Sequence, residues 1–189
     1  MKKEIITICG SLGSGKSSAA KGVAQVLGFK HFSSGDFMRK MALERGISLN
    51  ELATQAENDT SIDLEIDKKL RKAGEMEKIV IDSRLAFHWM PESFKIYLDL
   101  APEIAKERIF NDLKVNILRQ QSEKSSTAEE IYKKITSRLE SEKKRYLEMY
   151  NLDYTNKNNF DLVIDTNKNN LEQVVNIIVT EYKKWKEKN

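Results

Sequence analysis

EIITICGSLGSGKSS, residues 4–18, joins a short apolar run to a glycine-rich turn and then to a helix-forming segment. The run Glu4 to Cys9 reads as a strand, and Lys16 to about Leu27 reads as a helix with Ala19, Ala20, Val23 and Leu27 on its apolar face. Between them Gly10 to Ser17 fits Gly-x-x-x-x-Gly-Lys-Ser. Strand, turn and helix in this order open an α/β fold.

The turn has a chemical meaning. Gly10, Gly13 and Gly15 let the backbone curl so that successive N–H groups point inward. The following helix adds unpaired donors and its positive end. The backbone from Gly10 through Ser11, Leu12, Ser14 and on to Ser18 is thus a cradle for the phosphates of a nucleoside triphosphate. Lys16 can reach the β- and γ-phosphates, and the Ser17 hydroxyl can ligate Mg²⁺.

Outward from this loop the chain alternates strands and helices. Gly28 stops the first helix, and Lys30 to Phe32 is a short strand. Ser33-Ser34-Gly35-Asp36-Phe37-Met38-Arg39 follows, at a strand's carboxyl end, where an open α/β sheet meets its ligand. Asp36 is read as the helix cap, and Arg39, one turn in, can grip a phosphate. Ser48 to Glu51 has capping-box spacing. Residues 46–77 read as a small helical cover. Within it Asp63 and Asp67 are four apart and share a helix face. Two readings stay open for them: recognition of a base's exocyclic amino group, or ordinary surface charge paired with Lys and Arg.

Glu77 to Asp82 is the next strand and delivers Asp82-Ser83-Arg84 to the sheet's carboxyl edge. Asp82 can take a hydrogen bond from Ser17 or hold a Mg²⁺-bound water. Arg84 can clamp a phosphate. Lys95 to Leu100 is a strand, and Pro102 sits in the first turn of a helix that carries Arg108. Residues 111–127, with Lys114, Arg119 and Lys124, lose periodicity and read as a mobile basic cover. Thr127 to Glu130 is a capping box for a long helix ending near Tyr150, with Ile131, Ile135 and Leu139 on its buried side. On it Arg138 and Arg145 are seven apart, share a face and suit phosphates. Glu140, Glu142, Lys143 and Lys144 read as exposed ion pairs. Asp161 to Asp165 is the last strand, and about Asn170 to Lys186 the last helix, packed through Leu171, Val174, Val175, Ile178, Tyr182 and Trp185. The five short apolar strands imply a parallel sheet with helices on both faces. Spacing leaves the strand order open.

Composition narrows the partners. With 189 residues the chain suits one domain, 1–189. A net charge of +3, from 32 basic and 29 acidic residues, gives no footprint for a nucleic acid polymer. No apolar run is long enough to cross a membrane. The single cysteine, Cys9, reads as a buried hydrophobe and excludes an internal disulfide, which suits a reducing, cytoplasmic setting. The two histidines, His31 and His88, offer no metal cluster and read as structural.

The motifs together resemble the nucleoside monophosphate kinases, and more closely the short archaeal-type cytidylate kinases. The resemblance rests on GSLGSGKSS at 10–18, SSGDFMR at 33–39, SIDLEID at 61–67, VIDSRLAFHW at 80–89, ITSRLESEKKRYLEMYNLD at 135–153 and DLVIDT at 161–166. It implies a sheet of order 2-3-1-4-5, a helical NMP-binding region at about 34–77 and a lid at about 109–137. It implies transfer of the γ-phosphoryl group of ATP to CMP or dCMP, with Mg²⁺. Oligomeric state is not readable in the sequence, and a monomer is the default. It assigns Lys16, Ser17 and Arg108 to ATP, Arg39, Arg84 and Arg145 to the acceptor, Arg138 to the transferring group, and Asp153 to anchoring an arginine. Where relatives carry an acidic-Gly-Arg run, this chain has Asp82-Ser83-Arg84. The rival readings are another small-acceptor kinase, such as an adenylate or nucleoside kinase, and an ATPase with a regulatory or RNA-associated role.

Overall fold

The structure is a computed structural model that describes residues 4–113 and 127–188. Its elements are β1 (Ile5–Gly10), α1 (Lys16–Leu27), β2 (Lys30–Ser33), α2 (Ser34–Glu44), α3 (Leu49–Asn58), α4 (Ser61–Ala73), β3 (Ile79–Asp82), α5 (Ala86–Trp89), β4 (Phe94–Asp99), α6 (Pro102–Leu113), α7 (Ala128–Tyr150), β5 (Leu162–Asp165) and α8 (Leu171–Lys188). Lys114, Arg119 and Lys124 lie outside the described residues.

The five strands form one sheet in the order β2-β3-β1-β4-β5, every neighbouring pair parallel. β1 is central and all six of its residues are buried. The alternation of side chains divides the core in two. Ile5, Cys9, Ile79, Ile81 and Tyr97 face the layer of α2 to α5 and α7, with Leu52, Ile62, Leu70 and Tyr146. Ile6, Ile8, Val80, Ile96, Leu98 and Ile164 face α1 and α8, meeting Ala20, Val23, Val174 and Ile178. Cys9 is 1% exposed, as a small hydrophobe in a sheet core, and burial pushes its thiol up to about 11.

Two glycines are required by close approach. Gly10 ends β1 at φ 141°, and a Cβ there would sit 2.2 Å from the Leu98 carbonyl oxygen. At Gly22 a Cβ would sit 2.7 Å from Val175 Cγ2, so this glycine sets how closely α1 packs on α8.

Local departures from the expected elements have simple causes. The cap of α2 is Ser33, whose hydroxyl accepts from Asp36 N, and Asp36 instead sits in the first turn. The capping boxes at Ser48 and Thr127 form as expected. Leu171 starts α8 half-exposed, because the first turn projects beyond β5, while Val174 to Tyr182 supply the packed stripe.

Candidate active site

The carboxyl ends of β1, β2 and β3 open into a cleft of about 360 Å³. β1 delivers the loop to one end. The Ser14 hydroxyl donates to Ser11 O at 2.8 Å, and Ser11 N donates to Leu98 O at 3.1 Å, tying the loop to β4. Gly13 and Gly15 hold φ values of 74° and 82°, which glycine adopts without strain. Lys16 folds back under the turn, its Nζ donating to Gly10 O at 2.9 Å and Ser11 O at 2.6 Å. Burial pushes its ammonium down to about 7, and the nearby Arg84 charge adds to the shift.

A second cluster gathers from β2, β3 and the first turn of α1. Asp82, at the end of β3, is 3% exposed. Its Oδ1 accepts from Ser17 Oγ at 3.2 Å and from Ser33 Oγ at 2.8 Å, and its Oδ2 pairs with His31 Nε2 at 2.9 Å. The sequence foresaw the Ser17–Asp82 contact. It missed His31 and Ser33, although β2 pairs with β3 in a register that sets Ser33 beside Asp82. Among the described residues no group of three His, Cys, Asp or Glu can hold a metal by itself. One hydroxyl and one carboxylate suit Mg²⁺ completed by phosphate oxygens and water.

The residues expected at the acceptor lie in the same cleft. Ser34, Gly35, Asp36, Arg39, Asp63, Asp67 and Arg84 all line the cleft. Arg39 Nη2 donates to Asp36 Oδ1 at 2.5 Å, and Arg84 Nε donates to Glu142 Oε2. Asp63 and Asp67 are 2% and 3% exposed, which excludes the surface-charge reading. They are buried because their helix face turns into the cleft and onto α7. Asp67 takes Trp89 Nε1–H at 3.0 Å and the Tyr150 hydroxyl; Asp63 takes Arg145 Nε–H at 2.8 Å. Burial pushes the Asp63 carboxyl up despite Arg145. Consistently, Asp63 Oδ1 and Arg145 Nη2 lack hydrogen-bond partners among the described residues.

Several expected roles change. Arg145 does not line the cleft; it is held behind Asp63, with Nη1 donating to Ser141 Oγ at 2.5 Å. Gly10, Ser11 and Ser14 shape the loop from behind, whereas Leu12, Gly13, Gly15, Lys16, Ser17 and Ser18 line the cleft. Arg108 and Arg138 line it as expected, and Arg108 Nη2 also donates to Thr166 O at 2.7 Å. Glu142 is no exposed ion pair: it is 4% exposed, lines the cleft, and accepts from Arg84 and from the Tyr154 hydroxyl at 3.3 Å. Its position was legible, four residues after Arg138 and three before Arg145, hence on their face of α7. Among the described residues Asp153 pairs with no arginine. Its Oδ1 accepts from Thr155 N at 2.9 Å and Thr155 Oγ1 at 2.6 Å, closing a turn. Tyr154 beside it is 1% exposed and was missed.

Comparisons with known proteins show the family. A family model described as an AAA domain matches residues 9–145. The cytidylate kinase of Methanocella arvoryzae is 37% identical over 92% of this chain and 94% of its own. The S-adenosylmethionine-dependent nucleotide dehydratase of Lacinutrix mariniflava is 34% identical over 96% of this chain, but the chain spans only 36% of that protein's length. Among solved structures, the shikimate kinase of Bacteroides thetaiotaomicron superposes with a TM-score of 0.63 at 14% identity, covering 95% of this chain and 98% of its own, a likeness of fold. The chain is thus an ATP-dependent kinase and belongs to the archaeal-type cytidylate kinases, within the nucleoside monophosphate kinases.

Proposed function

We propose that the protein transfers the γ-phosphoryl group of ATP to CMP or dCMP, giving ADP and CDP or dCDP. The observation that carries this reading is the acceptor end of the cleft. Arg39 and Arg84 open on the same cavity as Lys16, and Asp63 and Asp67 stand behind them. A site for one nucleotide alone has no use for the second pair of arginines.

Transfer between two phosphates needs alignment and charge neutralisation more than an acid or a base. The loop backbone from Gly10 to Ser18 and Lys16 hold the donor phosphates. Ser17 and Asp82 are the residues that would hold Mg²⁺, whose positive charge would help neutralise the β- and γ-phosphates. Arg39 and Arg84 bring the acceptor phosphate into line. Arg138 supports the transferring group, where negative charge spreads in the transition state. Arg108 contributes from the ATP side. Residues 34–77 form the acceptor-binding region in this reading; of the lid expected at about 109–137, residues 114–126 lie outside the described residues.

Base choice falls to Asp63 in this reading. Its Oδ1 has no hydrogen-bond partner among the described residues, and Asp63 lines the cleft. The exocyclic amino group of cytosine is a donor that suits it, whereas uracil presents a carbonyl oxygen there. Incubation with ATP and CMP tests the reading by product analysis. CDP and ADP in equal amounts are expected, and ADP without CDP contradicts it.

A further inference from the structure

Glu142 is a carboxylate in the wall of the cleft that Lys16, Arg39, Arg84, Arg108 and Arg138 also line. On its own it would repel a phosphate that enters. Its partners give it another purpose. One oxygen, Oε2, takes both the Arg84 Nε–H and the Tyr154 hydroxyl. The Arg84 side chain is 15% exposed and that of Glu142 5%, so the pair is held largely away from water.

The atom that Glu142 engages decides what remains. Nε is the inner corner of a guanidinium, and a carboxylate bound there leaves the two Nη groups for another anion. Arg39 is held in the opposite way. Asp36 takes its Nη2, and the Asp36 side chain is 39% exposed, so an arriving phosphate can displace it. Burial works against the charge of Arg84, yet the Glu142 carboxylate outweighs it and keeps the guanidinium charged. The Tyr154 ring, 5.7 Å from Arg84 Cζ, flanks the same group.

We propose that Glu142, steadied by Tyr154, is a positioning residue that orients Arg84 so that its paired Nη groups meet the acceptor phosphate. This rests on the reading of Arg84 as an acceptor-phosphate ligand. The gain is preorganisation: the rotamers of a long side chain are fixed before the substrate arrives. The pair also ties β3, which delivers Arg84, to α7, which carries Arg138, so the acceptor phosphate and the transferring group are referred to one frame.

Steady-state kinetics on the wild type and four variants test this. Glu142→Met keeps the volume and removes the acceptor. It is expected to raise the KM for CMP at least ten-fold while the KM for ATP stays within two-fold. Glu142→Gln retains an oxygen for Nε–H and is expected to raise the KM for CMP only about three-fold. In an Arg84→Met background, Glu142→Met is expected to add less than two-fold, because a residue acting through Arg84 has nothing left to orient. A residue that merely fills the core would lower the melting temperature without separating the two KM values. A KM for CMP within two-fold of wild type in Glu142→Met overturns the proposal, as does a further rise in the double variant. If Glu142→Met does not fold, Glu142→Gln decides: a three-fold rise supports the proposal and no rise overturns it. A wild-type protein that phosphorylates no nucleoside monophosphate places the failure in the underlying reading. Wild-type activity on CMP with unaltered Glu142 variants places it in the positioning role.

Discussion

Arg145 Nε donates to Asp63 Oδ2 at 2.8 Å, across 82 residues of sequence, with the two side chains 5% and 2% exposed. This contact fixes α7 against α4. Removing one partner leaves the other charge buried alone, so Asp63→Ala should cost about 3–5 kcal/mol in urea unfolding. Asp63→Ala combined with Arg145→Met, which leaves no lone charge, should cost far less. Equal losses in both would show that the pair does not hold the two helices as described.

Lys16 gives a pH dependence. Burial, with the Arg84 charge beside it, pushes its ammonium down to about 7 in the free protein. Bound phosphates favour it again and raise that value. Above pH 7, therefore, the free protein has lost a proton that the complex retains. ATP binding should take up a proton, approaching one per site by about one to two pH units above that value, and should weaken as pH rises. Calorimetric titration in buffers of different ionisation enthalpy reads the uptake directly. Lys16→Ala should abolish both the uptake and the turnover while the fold persists. Uptake that survives in this variant would assign the proton elsewhere.

Gly22 tests the packing of α1 on α8. In an open helix position, glycine to alanine gains up to about 1 kcal/mol. Here the new Cβ would meet Val175 Cγ2 at 2.7 Å. Gly22→Ala should instead destabilise by about 1–3 kcal/mol, as overpacking does. Val175→Ala in the same chain should recover part of the loss. Thermal or urea unfolding reads the sign, and a stabilised Gly22→Ala would contradict the observed closeness.

Much of this architecture was legible because its signals are local. The Gly10–Ser17 loop, the two capping boxes and the apolar strands each depend on residues within a turn of one another. The order 2-3-1-4-5 came only from resemblance, since spacing does not say which strands pair. The phosphate-facing arginines were legible by type. Their partners were not, because Glu142 reaches Arg84 across 58 residues and Asp63 reaches Arg145 across 82. Asp63, Asp67 and Glu142 sit in charged, helical stretches that look like solvated surface. Only the docking of α7 over α4 and β3 turns those faces inward. His31 was passed over for the same reason: its partner Asp82 is brought beside it by strand pairing.

ADP release measured across acceptors shows whether one cleft holds a donor and an acceptor nucleotide together. ATP would be supplied with CMP, dCMP, UMP, AMP, cytidine or no acceptor. The account predicts fast release with CMP and dCMP, at least ten-fold slower release with UMP and AMP, and negligible release with cytidine or without an acceptor. Rapid release on AMP with none on CMP, or ATP hydrolysis that no nucleotide stimulates, would contradict it.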